Sequence, residues 1–129
     1  NCIDRPDRWD PEQTQQQAEE WSKEAPVFGA ALAWGNLPCY YWPVPAVDEP
    51  RVITAPGTPP IVVVGTEYDP ATPYEWAVNL ADQLASGVLV SWKGGDGHTA
   101  YYSGSKCVDD AVDDFLVDGT VPENGLECT

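Results

Sequence analysis

The run Ile61-Val62-Val63-Val64 constrains this chain more than any other stretch. Four β-branched residues in succession, entered from Pro59-Pro60, predict a strand, and the lack of polar alternation predicts one covered on both faces. Downstream, Thr72-Pro73-Tyr74-Glu75 reads as a capping box with Pro at the first helical position. Ala77, Leu80, Ala81 and Leu84 then recur at helical spacing to form one apolar face, and Gly87 reads as the C-cap. Val88-Leu89-Val90-Ser91-Trp92 is the next expected strand. Strand, helix and strand between Ile61 and Trp92 make a βαβ unit, whose strands should run parallel with a right-handed crossover. A glycine-rich loop, Gly94-Gly95-Asp96-Gly97-His98, follows. Val108, Ala111, Val112, Phe115 and Leu116 repeat the helical spacing up to a stop at Gly119, and the tail VPENGLECT is expected to be held down by Cys128. The implied fold class is α/β, a short parallel sheet with helical crossovers.

Residues 1–51 obey different rules. Asp10-Pro11-Glu12-Gln13 reads as a helix start, with Asp10 at N-cap and Gln13 at N3. The helix it opens, through about Lys23, is polar and has little beyond Ala18 and Trp21 to bury. A second short helix is expected over PVFGAALAW, Pro26 to Trp34, followed by LPCYYWPVPAVDEP, whose prolines argue against any regular element. The chain therefore divides, in expectation, into a lid-like segment at 1–51 and a regular α/β segment at 52–129.

Charge and cysteine usage narrow the class of function. Twenty-one acidic residues against six basic ones leave a net charge of −15. Nucleic acid and anionic membrane surfaces demand clustered Lys and Arg, so neither is an expected partner. No apolar run is long enough to span a bilayer. A start at Asn1, with no signal peptide there, reads as a fragment or a processed product. Four cysteines at wide spacing fit two disulfides in any of three connectivities, of which Cys2–Cys39 with Cys107–Cys128 is the most local. Loops of that size would each contribute roughly 3–4 kcal/mol. Zinc, the rival, needs close ligand spacing and more than the single His98; free intracellular thiols are the remaining alternative. Disulfides imply a secreted or cell-surface protein.

Two residues carry candidate chemistry. In an open α/β sheet, ligands and catalytic groups gather at the carboxyl ends of parallel strands. Asp69 and His98 each lie just past such an end, on consecutive strands of the βαβ unit. Topology should bring them together, where an Asp accepting from one ring nitrogen fixes the tautomer of the His and stabilises its imidazolium. Taken singly, each has a plainer reading, Asp69 as a turn former before Pro70 and His98 as a structural side chain. Taken together, in the order Asp then His, they match the order of an α/β-hydrolase triad.

The motifs CIDRPD, Cys39-Tyr40-Tyr41-Trp42-Pro43, IVVVGTEYDPATPYEWAVNLADQL and GGDGHTAYYSGSKCVDDAVDDFLVDGTVP, with the closing Cys128, carry a family likeness over nearly the whole chain. The chain resembles the C-terminal region of secreted bacterial tripeptidyl aminopeptidase-like ("TAP-like") serine hydrolases of the α/β-hydrolase superfamily. The resemblance implies Asp69 as triad acid, His98 as general base, a Cys107–Cys128 disulfide, and a cap over the substrate cleft formed by the region before IVVV. One part of the pattern is missing. No GxSxG elbow is present, and Ser22, Ser86, Ser91, Ser103 and Ser105 all lack its glycines.

The expected function is thus the acid and base of an exported exopeptidase, acting on a peptide substrate, with the Ser supplied by a missing N-terminal half and no turnover by this chain alone. No phosphate loop, dinucleotide fingerprint or metal-ligand cluster appears, so no cofactor is expected. The alternative is a non-catalytic peptide- or carbohydrate-binding or assembly module that uses Trp34, Tyr40, Tyr41 and Trp42. Open sheet edges would also favour pairing of copies into homo-oligomers.

Overall fold

The computed structural model describes residues 2–47 and 51–129. Two compact units divide the chain, Asn1–Arg51 and Val52–Thr129. Three parallel strands organise the second: β1 (Ile61–Tyr68), β2 (Gly87–Asp96) and β3 (Leu126–Cys128), in the order β1-β2-β3. Helix α4 (Tyr74–Gln83) links the first two, and α5 (Lys106–Asp118) links the second and third. The apolar run 61–64 lacks alternation because both faces of its strand are covered. On one face Val62, Val64, Val90, Trp92, Leu126 and Cys128 cluster with Val108 and Val112 of α5. On the other, the Tyr74 hydroxyl of α4 lies 2.7 Å from Ser91 Oγ. A Cβ added at Gly65 would come within 2.9 Å of Ala77 and of the Tyr74 ring, so glycine there lets α4 lie close on β1.

Several expectations are corrected here. Gly87 does not cap α4, which ends at Gln83 with Leu84 in the extended region as its C-cap. Instead Gly87 opens β2 opposite Ile61, where a Cβ would collide with the Ala81 backbone carbonyl. Strand β2 does not stop at Trp92 but continues through Asp96, so Gly94 and Gly95 belong to the strand and not to a loop. The tail contains a strand, β3, that the sequence reading treats only as a tether. Leu80 and Leu116, assigned to apolar helix faces, are exposed. In α4 the close contact with the sheet runs through Tyr74, Ala77 and Ala81, and that line leaves Leu80 at the flank. Gly119 does stop α5, in the left-handed conformation at φ 70°.

The first unit holds α1 (Pro11–Glu24), α2 (Gly29–Trp34) and a single helical turn, α3 (Leu37–Tyr40). Asp10 and Gln13 form the expected reciprocal cap: Asp10 accepts from the Gln13 amide at 2.8 Å, and Gln13 accepts from the Asp10 amide at 3.1 Å. Helix α2 begins at Gly29 rather than Pro26, at a point where a Cβ would meet the Trp21 backbone. The turn α3 contradicts the expectation that the proline-broken stretch is wholly irregular; Pro38 stands in the first turn, where no amide is needed. Residues 48–50 of that stretch lie outside the described residues. Arg8 fixes the irregular chain by donating to the carbonyls of Cys2, Cys39 and Trp42 at 2.9, 2.8 and 2.8 Å, and to that of Val44.

Disulfides join Cys2 to Cys39 in the first unit and Cys107 to Cys128 in the second, the latter tying the first turn of α5 to β3. No helix among the described residues is long and apolar enough to cross a membrane. Because Gly87 meets backbone rather than a flexible side chain, Gly87→Ala is expected to cost about 2–3 kcal/mol. A urea unfolding midpoint equal to that of the unsubstituted chain would contradict this close approach.

Candidate active site

Asp69 is the first residue past β1, and its own turn supplies three hydrogen bonds to its carboxylate. Pro70 has no N–H to offer, so the amides that reach Oδ1 are the next two, Ala71 at 2.8 Å and Thr72 at 2.9 Å. The Thr72 hydroxyl donates to Oδ2 at 2.7 Å. Thr72 is therefore not the helix cap that its sequence context suggests. Helix α4 begins at Tyr74 after Pro73, with no side-chain cap, and the Thr72 hydroxyl serves the aspartate. Thr72 is a site residue that sequence reasoning missed, because Thr-Pro-x-Glu has the same spacing whichever partner the hydroxyl takes.

His98 arrives from β2. Gly97 at φ 88° and Thr99 at φ 72° both occupy the left-handed region and turn the chain sharply on either side of it. The imidazole Nδ1 lies 3.0 Å from Asp69 Oδ2, 3.2 Å from Oδ1 and 3.2 Å from Thr72 Oγ1. The structure thus brings together the two residues singled out by topology. Exposure differs sharply within the pair: the Asp69 side chain is 5% exposed and that of His98 55%. Beyond His98, Ala100 is buried in the core, and the loop is strapped to α5. The Tyr101 and Tyr102 hydroxyls both donate to Asp113, and the Tyr102 amide donates to Asp109 at 2.7 Å. The Asp113 bond pushes the Tyr101 hydroxyl well above its usual range, so it remains a donor.

Electrostatics follow from these contacts. The Thr72 amide first, then the Thr72 hydroxyl, the Ala71 amide and His98, hold the Asp69 carboxyl well below the usual carboxylate range, against the opposing effect of desolvation. An ionised carboxylate only accepts, so the ring nitrogen facing it carries the proton. The neutral ring then keeps its lone pair on Nε2, which has no hydrogen-bond partner among the described residues. Such an imidazole can take a proton from a hydroxyl placed at Nε2 and hold it as an imidazolium against Asp69.

The profile of the TAP-like protein family matches residues 25–128. The chain belongs to the TAP-like family of α/β-hydrolases. It is 37% identical, over 99% of its length, to the serine protease Hip1 of Mycobacterium tuberculosis, of which it covers 25%. It is 38% identical over 98% of its length to carboxylesterase B of the same species, again covering 25%. With the tripeptidyl aminopeptidase of Streptomyces lividans it shares 34% identity over 82% of its length and 20% of that protein. This TAP-like chain thus spans a quarter or less of the curated relatives it matches.

The serine hydroxyls of the TAP-like chain are engaged elsewhere or buried. Ser22 donates to the Ala18 carbonyl, Ser86 to that of Pro59, Ser91 pairs with Tyr74 and Ser103 donates to the Tyr101 carbonyl. Ser105 is buried. No group of three or more His, Cys, Asp or Glu side chains among the described residues could hold a metal ion.

Asp69 has a folded pKa below its unfolded value of about 3.9. Its contribution to stability is therefore fully present above that value and is lost as pH falls through the range below about 4. Asp69→Asn is expected to flatten the acid limb of stability, read as the urea midpoint between about pH 2 and pH 6. Equal slopes for the two proteins over that range would contradict the assignment.

Proposed function

We propose that Asp69 and His98 are the acid and the general base of a Ser-His-Asp triad, and that this chain is the C-terminal part of an exported serine hydrolase. The observation that carries this reading is the one-sided imidazole: Nδ1 sits 3.0 Å from a carboxylate held by its own turn, and the ring is otherwise open. In the proposed cycle, Nε2 takes the proton of a serine hydroxyl as its oxygen attacks the scissile carbonyl. Asp69 keeps the ring in the required tautomer and stabilises the imidazolium. His98 then returns the proton to the leaving amine, and a water molecule releases the acyl group by the same route in reverse.

The nucleophile and the oxyanion donors come from polypeptide outside these residues, since no GxSxG elbow exists in the sequence. The 129 residues alone are accordingly inactive. The substrate is a peptide processed from its free amino end, a choice supported by relatives that bear the names serine protease and tripeptidyl aminopeptidase. A relative bearing the name carboxylesterase is compatible with the same acyl-transfer chemistry. Secretion or display at the cell surface is supported by the two disulfides. The unit at 1–51 serves as the cap of the substrate cleft. The outer edge of β1, which has no strand neighbour among the described residues, receives a strand of the serine-bearing part. In its absence that edge pairs with a second copy of the chain.

A second reading, a peptide- or sugar-binding module without turnover, draws on the exposed rings of Tyr40, Tyr41 and Trp42. Release of a fluorophore from a tripeptide with a free amino end tests both readings. The polypeptide extended upstream to include a GxSxG segment is expected to turn over, with Asp69→Asn lowering kcat by about 10⁴-fold and His98→Ala by about 10⁶-fold. The chain alone is expected to show neither turnover nor an acyl-enzyme burst. Unchanged kcat in His98→Ala, or a burst from the isolated chain that disappears on substituting one of its own serines, would overturn the proposal. Peptide binding by the isolated chain without turnover in the extended protein would favour the second reading.

A further inference from the structure

The ladder between β1 and β2 is regular from Ile61↔Gly87 to Thr66↔Trp92 and then breaks, the next pair being Tyr68↔Asp96. Between those pairs β1 has one residue, Glu67, while β2 has three, Lys93, Gly94 and Gly95. This is a bulge carrying two surplus residues on the strand that leads to His98. A bulge leaves amides without ladder partners, and here a side chain serves one of them. Glu67 Oε2 accepts from the Gly94 amide at 2.7 Å, while Oε1 lies 3.0 Å from Lys93 Nζ. Lys93 in turn stands over the Tyr74 ring, 5.1 Å from its centroid. Gly94 takes φ 72°, and Gly95 lies so close on the Trp92 indole that no Cβ would fit. One residue of β1 thus holds two of the three bulge residues, Lys93 and Gly94, from the facing strand.

The position of the bulge gives it a consequence. Each residue of parallel strand advances about 3.3 Å, so drawing two surplus residues into the ladder would displace the end of β2 by about 7 Å against β1. Asp69 follows β1 directly, and His98 follows β2 after Gly97. A slip of that size exceeds the 3.0 Å contact between the two side chains more than twofold. We infer that Glu67 is a positioning residue, which by holding Gly94 in the bulge sets the register that delivers His98 to Asp69. Its carboxylate is engaged with the Gly94 amide and Lys93 rather than with the imidazole or the Asp69 carboxylate, and it acts through the backbone of β2. The Gly94 amide first, and Lys93 with it, keep the Glu67 carboxyl below its usual range, so the grip persists at neutral pH.

The relevance of this device to catalysis rests on the triad reading, but its effect on the His98–Asp69 contact does not, and the test reads the contact. The chain has a single histidine, so labelling with ¹⁵N-histidine yields one imidazole whose two nitrogen shifts report the tautomer of the neutral ring. In the unsubstituted chain the Nδ1–H form is expected to dominate. Glu67→Ala is expected to shift the population toward the Nε2–H form favoured by a free histidine side chain, with the far-UV dichroism spectrum unchanged. Glu67→Gln, which keeps an oxygen for Gly94 but gives up the charge beside Lys93, is expected to restore the Nδ1–H form. Should Glu67→Ala not fold, Glu67→Asp, which retains the charge but withdraws the oxygen by one methylene, is expected to show the same loss. A folded Ala or Asp variant that keeps the unsubstituted tautomer, or a Gln variant that loses it as fully as Ala, would overturn the inference. A role confined to stability would lower the melting temperature and leave the tautomer alone.

Discussion

Parallel pairing of β1 with β2 is the constraint from which the site descends. Parallel strands leave the sheet at the same edge, so the residues just past their ends are neighbours however far apart they stand in the chain. The crossover through α4 makes this possible, and α4 can lie close because Gly65 and Ala77 leave room between helix and strand. Seen this way, the glycines and alanines of the unit are as much a part of the site as its charged groups. They set the distance over which a hydrogen bond between two loops can close.

The carboxylate at the centre shows a division of labour between backbone and side chains. Two amides and one hydroxyl from its own turn hold Asp69, all of them within three residues of it. A local turn of this kind can form without help from the rest of the fold. The imidazole is different: it depends on β2, on the left-handed residues beside it and on the anchoring of Tyr101 and Tyr102 to α5. The aspartate is secured by short-range chemistry, and the histidine by tertiary structure.

That contrast explains what could be read from the amino acids. The strand at 61–64, the crossover helix, the next strand and the meeting of Asp69 with His98 were legible because they follow from local apolar pattern and from topology. Thr72 was not, since a hydroxyl before Pro-x-Glu looks the same whether it caps a helix or serves an aspartate. Gly87 was misread because a glycine after a helix usually signals a left-handed cap, whereas here the steric demand comes from Ala81 across a tight turn. The continuation of β2 through Gly94 and Gly95 was hidden because the bulge is stabilised by Glu67 on another strand. Strand β3, only three residues long, has too little pattern to stand out, and α3 is a single turn, with one of its carbonyls, that of Cys39, held by Arg8 from a distant part of the chain.

Each of the two disulfides begins and ends inside one compact unit, and none bridges them. The main chain at the boundary is then the sole covalent tie between the halves. A protease that nicked this boundary would leave two pieces, each still cross-linked within itself, and oxidising conditions would do nothing to keep them joined.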